Sequence, residues 1–293
     1  MLVWLSIAAG LILTIRSFKH KKLLRGLTVH TSWLWSIVAS IGVVVAAVSA
    51  LPSVGVSLPY RGALQYLTVV LMLSPPICTL GARKPGSGAW QFFVILPMIV
   101  VLMWPVTGQL LASRGREAVT LGAPATVGIL FVLLMSAGTG IGTSMSLPVG
   151  LSLLAAVFSL APSAGWVSSE STLPLWTPIL LLAAQALAIR TIRFRQQQIT
   201  DAGSVPSRTT AVWYLFQDLY GLLWSTRVMD RVNQFAPREN WNVTLTIDGF
   251  QRNDQSAADA ADLDQPITTF CWVLRRFADE HWLNAVFPKS DQI

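Results

Sequence analysis

Carboxylates are nearly missing from the first two-thirds of this chain: of its 14 Asp and Glu residues, only Glu117 and Glu170 precede residue 200. Charged residues of both signs make up 12% of the 293, about half the share found in ordinary soluble proteins. With a mean hydropathy of +0.56, the chain is not built for water as its main solvent.

Other shortages exclude whole classes of chemistry. The three histidines, His20, His30 and His281, are scattered, so no metal-ligand spacing is present and no histidine pair lies at membrane depth to hold a b-type haem. The two cysteines, Cys78 and Cys271, fall in an apolar run and in the acidic tail; they read as buried thiols, not as a disulfide framework.

No apolar run carries Asp, Glu, Lys, Arg or His in its interior. Proton pumps, ion-coupled transporters and permeases for charged substrates need such groups, and a retinal Schiff base needs a lysine in the seventh run. Intramembrane serine proteolysis needs a His or Lys base, which is missing although serines are plentiful.

What is present is a series of apolar runs, at about residues 2–17, 32–51, 63–82, 90–111, 119–138, 146–163 and 173–192. A helix rises ~1.5 Å per residue and the hydrocarbon core is ~30 Å thick, so about 20 residues span it. The fold expected is an all-α polytopic membrane protein with about seven transmembrane helices over 1–195. A small, mainly helical cytoplasmic or interfacial region with one short strand follows over 196–293. The first run is short and leans on Arg16 and Lys19 reaching the interface.

Thirteen of the 21 Lys and Arg share the first 200 residues with the two carboxylates, giving that part a formal charge of +11 against −4 for the remainder. Basic residues beside spans are topology signals facing anionic headgroups, so no nucleic-acid partner is expected. Five of these residues at 16–30, with Arg83, Lys84, Arg190, Arg193 and Arg195, occupy one set of alternate loops; Arg61, Arg114 and Arg116 occupy the other. The excess places the first set in the cytoplasm and the N-terminus outside, in a membrane of the bacterial inner type.

Several runs contain proline, notably Pro75-Pro76 and Pro97, which kink helices and free carbonyls; packing bends are the plainer reading, because no polar side chains gather beside them in sequence. The run from Ser136 to Ser144 is rich in glycine but lacks a P-loop's ending and reads as a tight turn between spans. Small residues at Ala39, Gly42, Ala46 and Ala50 suit close helix approach.

After a linker over 200–207, residues 209–235 follow helical periodicity with an aromatic first half, including Trp213, Tyr214, Phe216, Tyr220 and Trp224. Such a helix either lies in the cytoplasmic interface or packs on its own small domain. Trp241-Asn242-Val243-Thr244-Leu245-Thr246-Ile247 alternates strictly, the mark of a strand, which pairs either near Phe250 or with another protein. Asp254, Asp259, Asp262 and Asp264 lack the spacing of a calcium loop. A last helix is expected from Asp264, with Pro266 in its first turn.

No cofactor is implied. The function expected first is a non-catalytic scaffold or accessory subunit of a membrane complex. Its partner contacts would be Trp213, Phe216, Tyr220, Trp224, Trp241, Val243, Leu245 and Ile247, and its other partner the lipid bilayer. The alternative is a transporter or channel for a neutral or apolar solute or lipid, for which Gln65, Gln91, Gln109 and above all Gln185 are the polar candidates. An interfacial enzyme using Asp218 or His281 ranks third.

Overall fold

In the computed structural model, which describes residues 1–82, 89–252, 254, 258 and 260–287, each apolar run becomes a helix. These are α1 (Leu2–His20), α2 (His30–Ser49), α3 (Leu58–Leu80), α4 (Leu96–Ala112), α5 (Ala123–Gly138), α6 (Ser146–Leu160) and α7 (Thr177–Thr200). A π-helical turn, Gln91–Ile95, leads into α4, and a 3₁₀ turn, Leu173–Trp176, leads into α7.

Five of these segments are long and apolar enough to cross a membrane: Leu2–Leu24, His30–Ser49, Leu58–Leu80, Gln91–Ala112 and Leu173–Thr200. The first is longer than its apolar run suggested, because helix continues through its basic end. α5 and α6 are shorter, at 16 and 15 residues. Backbone bonds carry α6 further, Ala161 N–H to Val157 O and Ala164 N–H to Leu160 O, each 3.0 Å. Gly165, at φ 72°, then closes the helix, with Trp166 N–H bonded back to Ala161 O at 3.1 Å. That is a Schellman-type end, which needs a residue free to enter the left-handed region.

α1, α2, α3, α6 and α7 pack in a ring, each against the next and α7 back against α1, while α4 and α5 lie outside it beside α3 and α6. Gly42 of α2 turns toward α3, where a β-carbon would lie 2.8 Å from Leu71 Cδ1. The outer surface is apolar, with Phe93 (80% exposed), Trp104 (74%) and Val101 (67%) on the α4 segment alone, as a surface facing acyl chains requires.

The helix ends sort into two faces. At one, helix ends meet the C-terminal region: Tyr220 Oη lies 2.9 Å from Thr28 Oγ1 and Trp224 Nε1 donates to Thr79 O at 3.2 Å, while Gln196 Nε2 near the end of α7 donates to Leu23 O just after α1 at 3.0 Å. There too Leu222 N–H donates to Thr139 O at 2.9 Å. At the other face, Leu121 N–H donates to Ser163 O at 2.7 Å, and Gln109 is bonded to the backbone of Thr120.

The C-terminal region consists of α8 (Val205–Asn233), β1 (Val243–Thr246), β2 (Gly249–Arg252), α9 (Ala260–Leu274) and α10 (Glu280–Val286). α7 and α8 leave only residues 201–204 between them, half the linker that composition suggested. The single strand expected is instead one arm of an antiparallel hairpin, Leu245 opposite Phe250 and Thr246 opposite Gly249. β2 is the partner near Phe250 that the sequence offered as one of two alternatives, and its signal is weak because Gln251 and Arg252 interrupt apolar alternation. The last helix starts at Ala260, so Pro266 lies inside it, and it stops at Leu274 before the separate α10.

One hydrophobic core runs across residue 195. It joins Leu24, Leu27, Val29, Met145 and Ile192 from the bundle to Trp213, Phe216, Tyr220, Phe270 and Phe277. The apolar face of α8 is thus buried on protein: Val212, Trp213, Leu215 and Tyr220 are each no more than 3% exposed. Both cysteines are free and buried. Burial pushes the Cys271 thiol up to about 12.

Candidate functional site: a cavity inside the helix ring

The ring helices, with α5 and the bend of α8, line a partly open cavity of about 360 Å³, at the lower end of the ~300–1,000 Å³ typical of small-molecule sites. Its walls are largely apolar, including Leu13, Trp33, Met72, Leu133, Leu153 and Leu181. Pro75 and Pro76 line it too. They leave the carbonyls of Leu71 and Met72 without helical N–H donors beside the space. The polar groups absent around these prolines in sequence arrive from other helices.

Eight Ser and Thr hydroxyls lie on the wall, together with the Tyr220 phenol. On α1 and α2, Ser17 donates to Leu13 O (2.9 Å), Ser32 to Pro75 O (2.7 Å), Ser36 to Ser32 O (3.2 Å) and Ser40 to Ile37 O (2.7 Å). Thr79 of α3 donates to Pro75 O (3.1 Å), Ser136 of α5 to Val132 O (2.7 Å), Thr139 to Ser136 O (2.8 Å) and Ser152 of α6 to Pro148 O (2.9 Å). Trp33 of α2 also borders the cavity and donates from Nε1 to Ser17 O at 2.9 Å.

Of the four glutamines singled out in the spans, only Gln185 reaches the cavity. Gln65 is buried, Gln91 contacts Cys78 Sγ, and Gln109 ties the α4–α5 loop. Gln185 Nε2 donates to Ser17 Oγ, while its Oε1 is buried without a hydrogen-bond partner. An unpaired buried amide oxygen costs roughly 1–3 kcal/mol, so the wall holds an open demand for a donor.

The cavity floor is the bend of α8. Gly221, at φ 73° and ψ 176°, interrupts the helix in a region essentially reserved for glycine. A β-carbon there would meet Thr139 O at 2.5 Å. Beside it stands Asp218, the one acidic residue on the wall, with a side chain 2% exposed and paired to Arg195 Nε at 2.9 Å. Its other oxygen accepts from Ser144 N–H at 2.8 Å.

Arg195 completes the cluster by donating to Ser144 Oγ (2.8 Å) and Gln198 Oε1 (3.0 Å), with its guanidinium 4.9 Å from the Tyr214 ring centroid. The charge is therefore paired and hydrogen-bonded on all sides, as burial demands. The spans contribute no carboxylate, and the tail brings one up to the cavity from below.

Of the residues expected to meet a partner protein, Tyr220 lines the cavity and the others lie away from it. Trp213, Phe216, Tyr220, Trp224, Val243 and Leu245 are each no more than 6% exposed inside the chain's own core. Trp213 stacks on Phe216, and Phe277 meets Phe216, Tyr220 and Trp224 edge-on. Trp241 is half-buried and bonds Gln265; Ile247, at the hairpin turn, is 42% exposed. The contacts of this set are internal, because the second strand and α9 cover it.

Of the acidic residues weighed for calcium, Asp262 pairs with Arg252 at 2.7 Å; Asp259, like Arg83 and Lys84 of the topology count, lies outside the described residues. His281 stands exposed on α10. Among the described residues, no group of three or more His, Cys, Asp or Glu is placed to hold a metal. In comparisons with known proteins, the chain matches no protein family, no curated protein and no solved structure.

Proposed function

We propose that this protein crosses the membrane seven times and that its helix ring holds, and passes between the two leaflets, a neutral and largely apolar molecule of the membrane. The observation that carries this reading is the cavity itself: apolar walls, hydroxyls from several helices and, among the described residues, no charge apart from a neutralised ion pair at the floor.

The seven-span topology draws support from the sorting of the helix ends. α3, α5 and α7 all finish at the face where the C-terminal region sits, so α4 and α6 run the opposite way. α6, continued to residue 164, covers ~28 Å at 1.5 Å per residue. Arg16, Lys19, Lys21, Lys22, Arg25, Arg190, Arg193 and Arg195 gather toward that same face, which by the positive-inside rule is cytoplasmic, leaving the N-terminus outside.

An accessory-subunit role loses its named contacts to the interior, and keeps Ile247 as the exposed member of the set. The cavity therefore supports carriage better than scaffolding.

Native mass spectrometry of the full chain after mild detergent extraction tests the proposal. The expected result is a retained neutral lipid adduct, displaced when Ala184 and Ser36, both on the wall, are replaced by Phe. A wild-type protein that carries no adduct and takes up none from added lipid overturns it, as does an adduct unaffected by a folded Ala184→Phe/Ser36→Phe variant.

A further inference from the structure

The direction of the hydrogen bonds around the cavity restricts what can occupy it. Every wall hydroxyl donates into a neighbouring oxygen of its own or an adjacent helix, as set out above, and so does the Tyr220 phenol, which donates to Phe277 O at 2.8 Å. The two side-chain nitrogens on the wall, Trp33 Nε1 and Gln185 Nε2, are spent on Ser17. A hydroxyl that has donated its proton still offers lone pairs, and Gln185 Oε1 has no partner at all.

The cavity is thus rich in acceptors and poor in free donors among the described residues, and the carboxylate on its wall, Asp218, is already matched by Arg195. An ester, ether or ketone entering it brings acceptors to acceptors and loses its hydration without return. A hydroxyl brings the missing proton. A carboxylate or phosphate meets no unpaired cation among the wall residues.

We propose that the occupant is a lipid bearing an uncharged hydroxyl head, of the long-chain alcohol class, with its hydroxyl donating to Gln185 Oε1 and its chain along the apolar walls. Gln185 is the specificity-determining residue: of the buried polar side-chain atoms on the wall, its Oε1 is the one without a partner in the chain. This inference rests on the cavity reading above and names the chemical class that it takes.

The test uses the purified full-length chain in detergent with three diazirine-bearing probes of equal chain length: hexadecanol, its O-methyl ether and hexadecylamine, with labelled peptides mapped by mass spectrometry. The alcohol is expected to label α2, α3 or α7 wall peptides about fivefold more than the ether, the factor that one net hydrogen bond supplies. In Gln185→Leu, ether labelling is expected to persist while the preference falls to about one; Gln185→Glu, which keeps an acceptor, is expected to retain it.

Equal labelling by alcohol and ether in the wild type overturns the hydroxyl-head inference and leaves the cavity reading standing. Dominant labelling by the amine overturns it in favour of a cationic ligand. Failure of all three probes to label wall peptides removes the cavity reading itself.

Discussion

Polar side chains do opposite things in the two halves of this molecule. Within the helix ring, Ser and Thr donate mostly three or four residues back along their own helices. At the C-terminal face they join segments far apart in sequence: Thr28 with Tyr220, Thr79 with Trp224, Arg195 with Asp218, Gln217 with Ile247 and Asn233 with Leu245. The ring is held by close packing and leaves its hydroxyl lone pairs for a guest. The face is held by directional cross-links and makes a fixed floor. Losing a cross-link should therefore cost far more than losing a wall hydroxyl.

The sharpest break is Asp218→Ala. It strands Arg195, which is 16% exposed, without its counter-charge and leaves Ser144 N–H unpaired. Removing one member of a buried pair costs about 3–5 kcal/mol, expected as a fall of many degrees in the melting temperature of the detergent-solubilised protein. Arg195→Ala in the same background should add little, since the partner is already gone. A melting point unchanged in Asp218→Ala would mean that the floor is not held by this pair.

Gly221→Ala comes next. The bend at φ 73° and ψ 176° costs a side-chain-bearing residue about 1–3 kcal/mol, and the new methyl would displace Thr139 O from the Leu222 N–H it accepts. A loss of about 3 kcal/mol is expected, with altered protease sensitivity in the α5–α6 turn, where Thr139 sits. Gly108, with nothing within 4 Å of an added β-carbon, is the control: Gly108→Ala should be neutral or gain up to ~1 kcal/mol of helix propensity.

These two residues mark where sequence reading stopped. The seven apolar runs each name a helix because hydrophobic length needs no partner to be recognised, and Trp241–Ile247 names a strand because alternation is local. Asp218 and Arg195 belong to different helices and look, one at a time, like a tail carboxylate and a topology signal. Gly221 sits in an unbroken helical pattern, where glycine is merely tolerated. The wall hydroxyls come from α1, α2, α3, α5 and α6 with no sequence spacing to unite them; of the cavity's polar groups, Gln185 was visible because it alone of the glutamines stood away from a span end.

Tyr220→Phe measures a single cross-link. The phenol lies between Thr28 Oγ1 and Phe277 O, and burial pushes it well above the ordinary tyrosine range. Its loss should cost about 1–2 kcal/mol. The pH arithmetic has the same sign for Tyr220 and for Cys271, both raised in the folded state. Their stabilisation is complete below the unfolded values, near 10 and 9, and fades as pH rises toward the folded ones. Wild-type melting should thus decline above about pH 9, and Cys271 should resist maleimide at pH 8 until the protein is unfolded. Fast alkylation of the native protein at Cys271 would refute its burial on the inner side of α9, in the C-terminal core.

The smallest effect belongs to the ring itself. Ser36→Ala and Ser152→Ala remove hydroxyls whose donors are spent on their own helices at Ser32 O and Pro148 O; those carbonyls keep their backbone partners, so stability should move by no more than about 0.5 kcal/mol. A drop as large as that for Tyr220→Phe would show that the wall hydroxyls cross-link helices, which would erase the contrast between ring and floor. With stability unchanged, any loss of bound lipid in Ser36→Ala reports on the guest alone, which is the separation of roles that the two halves of the molecule predict.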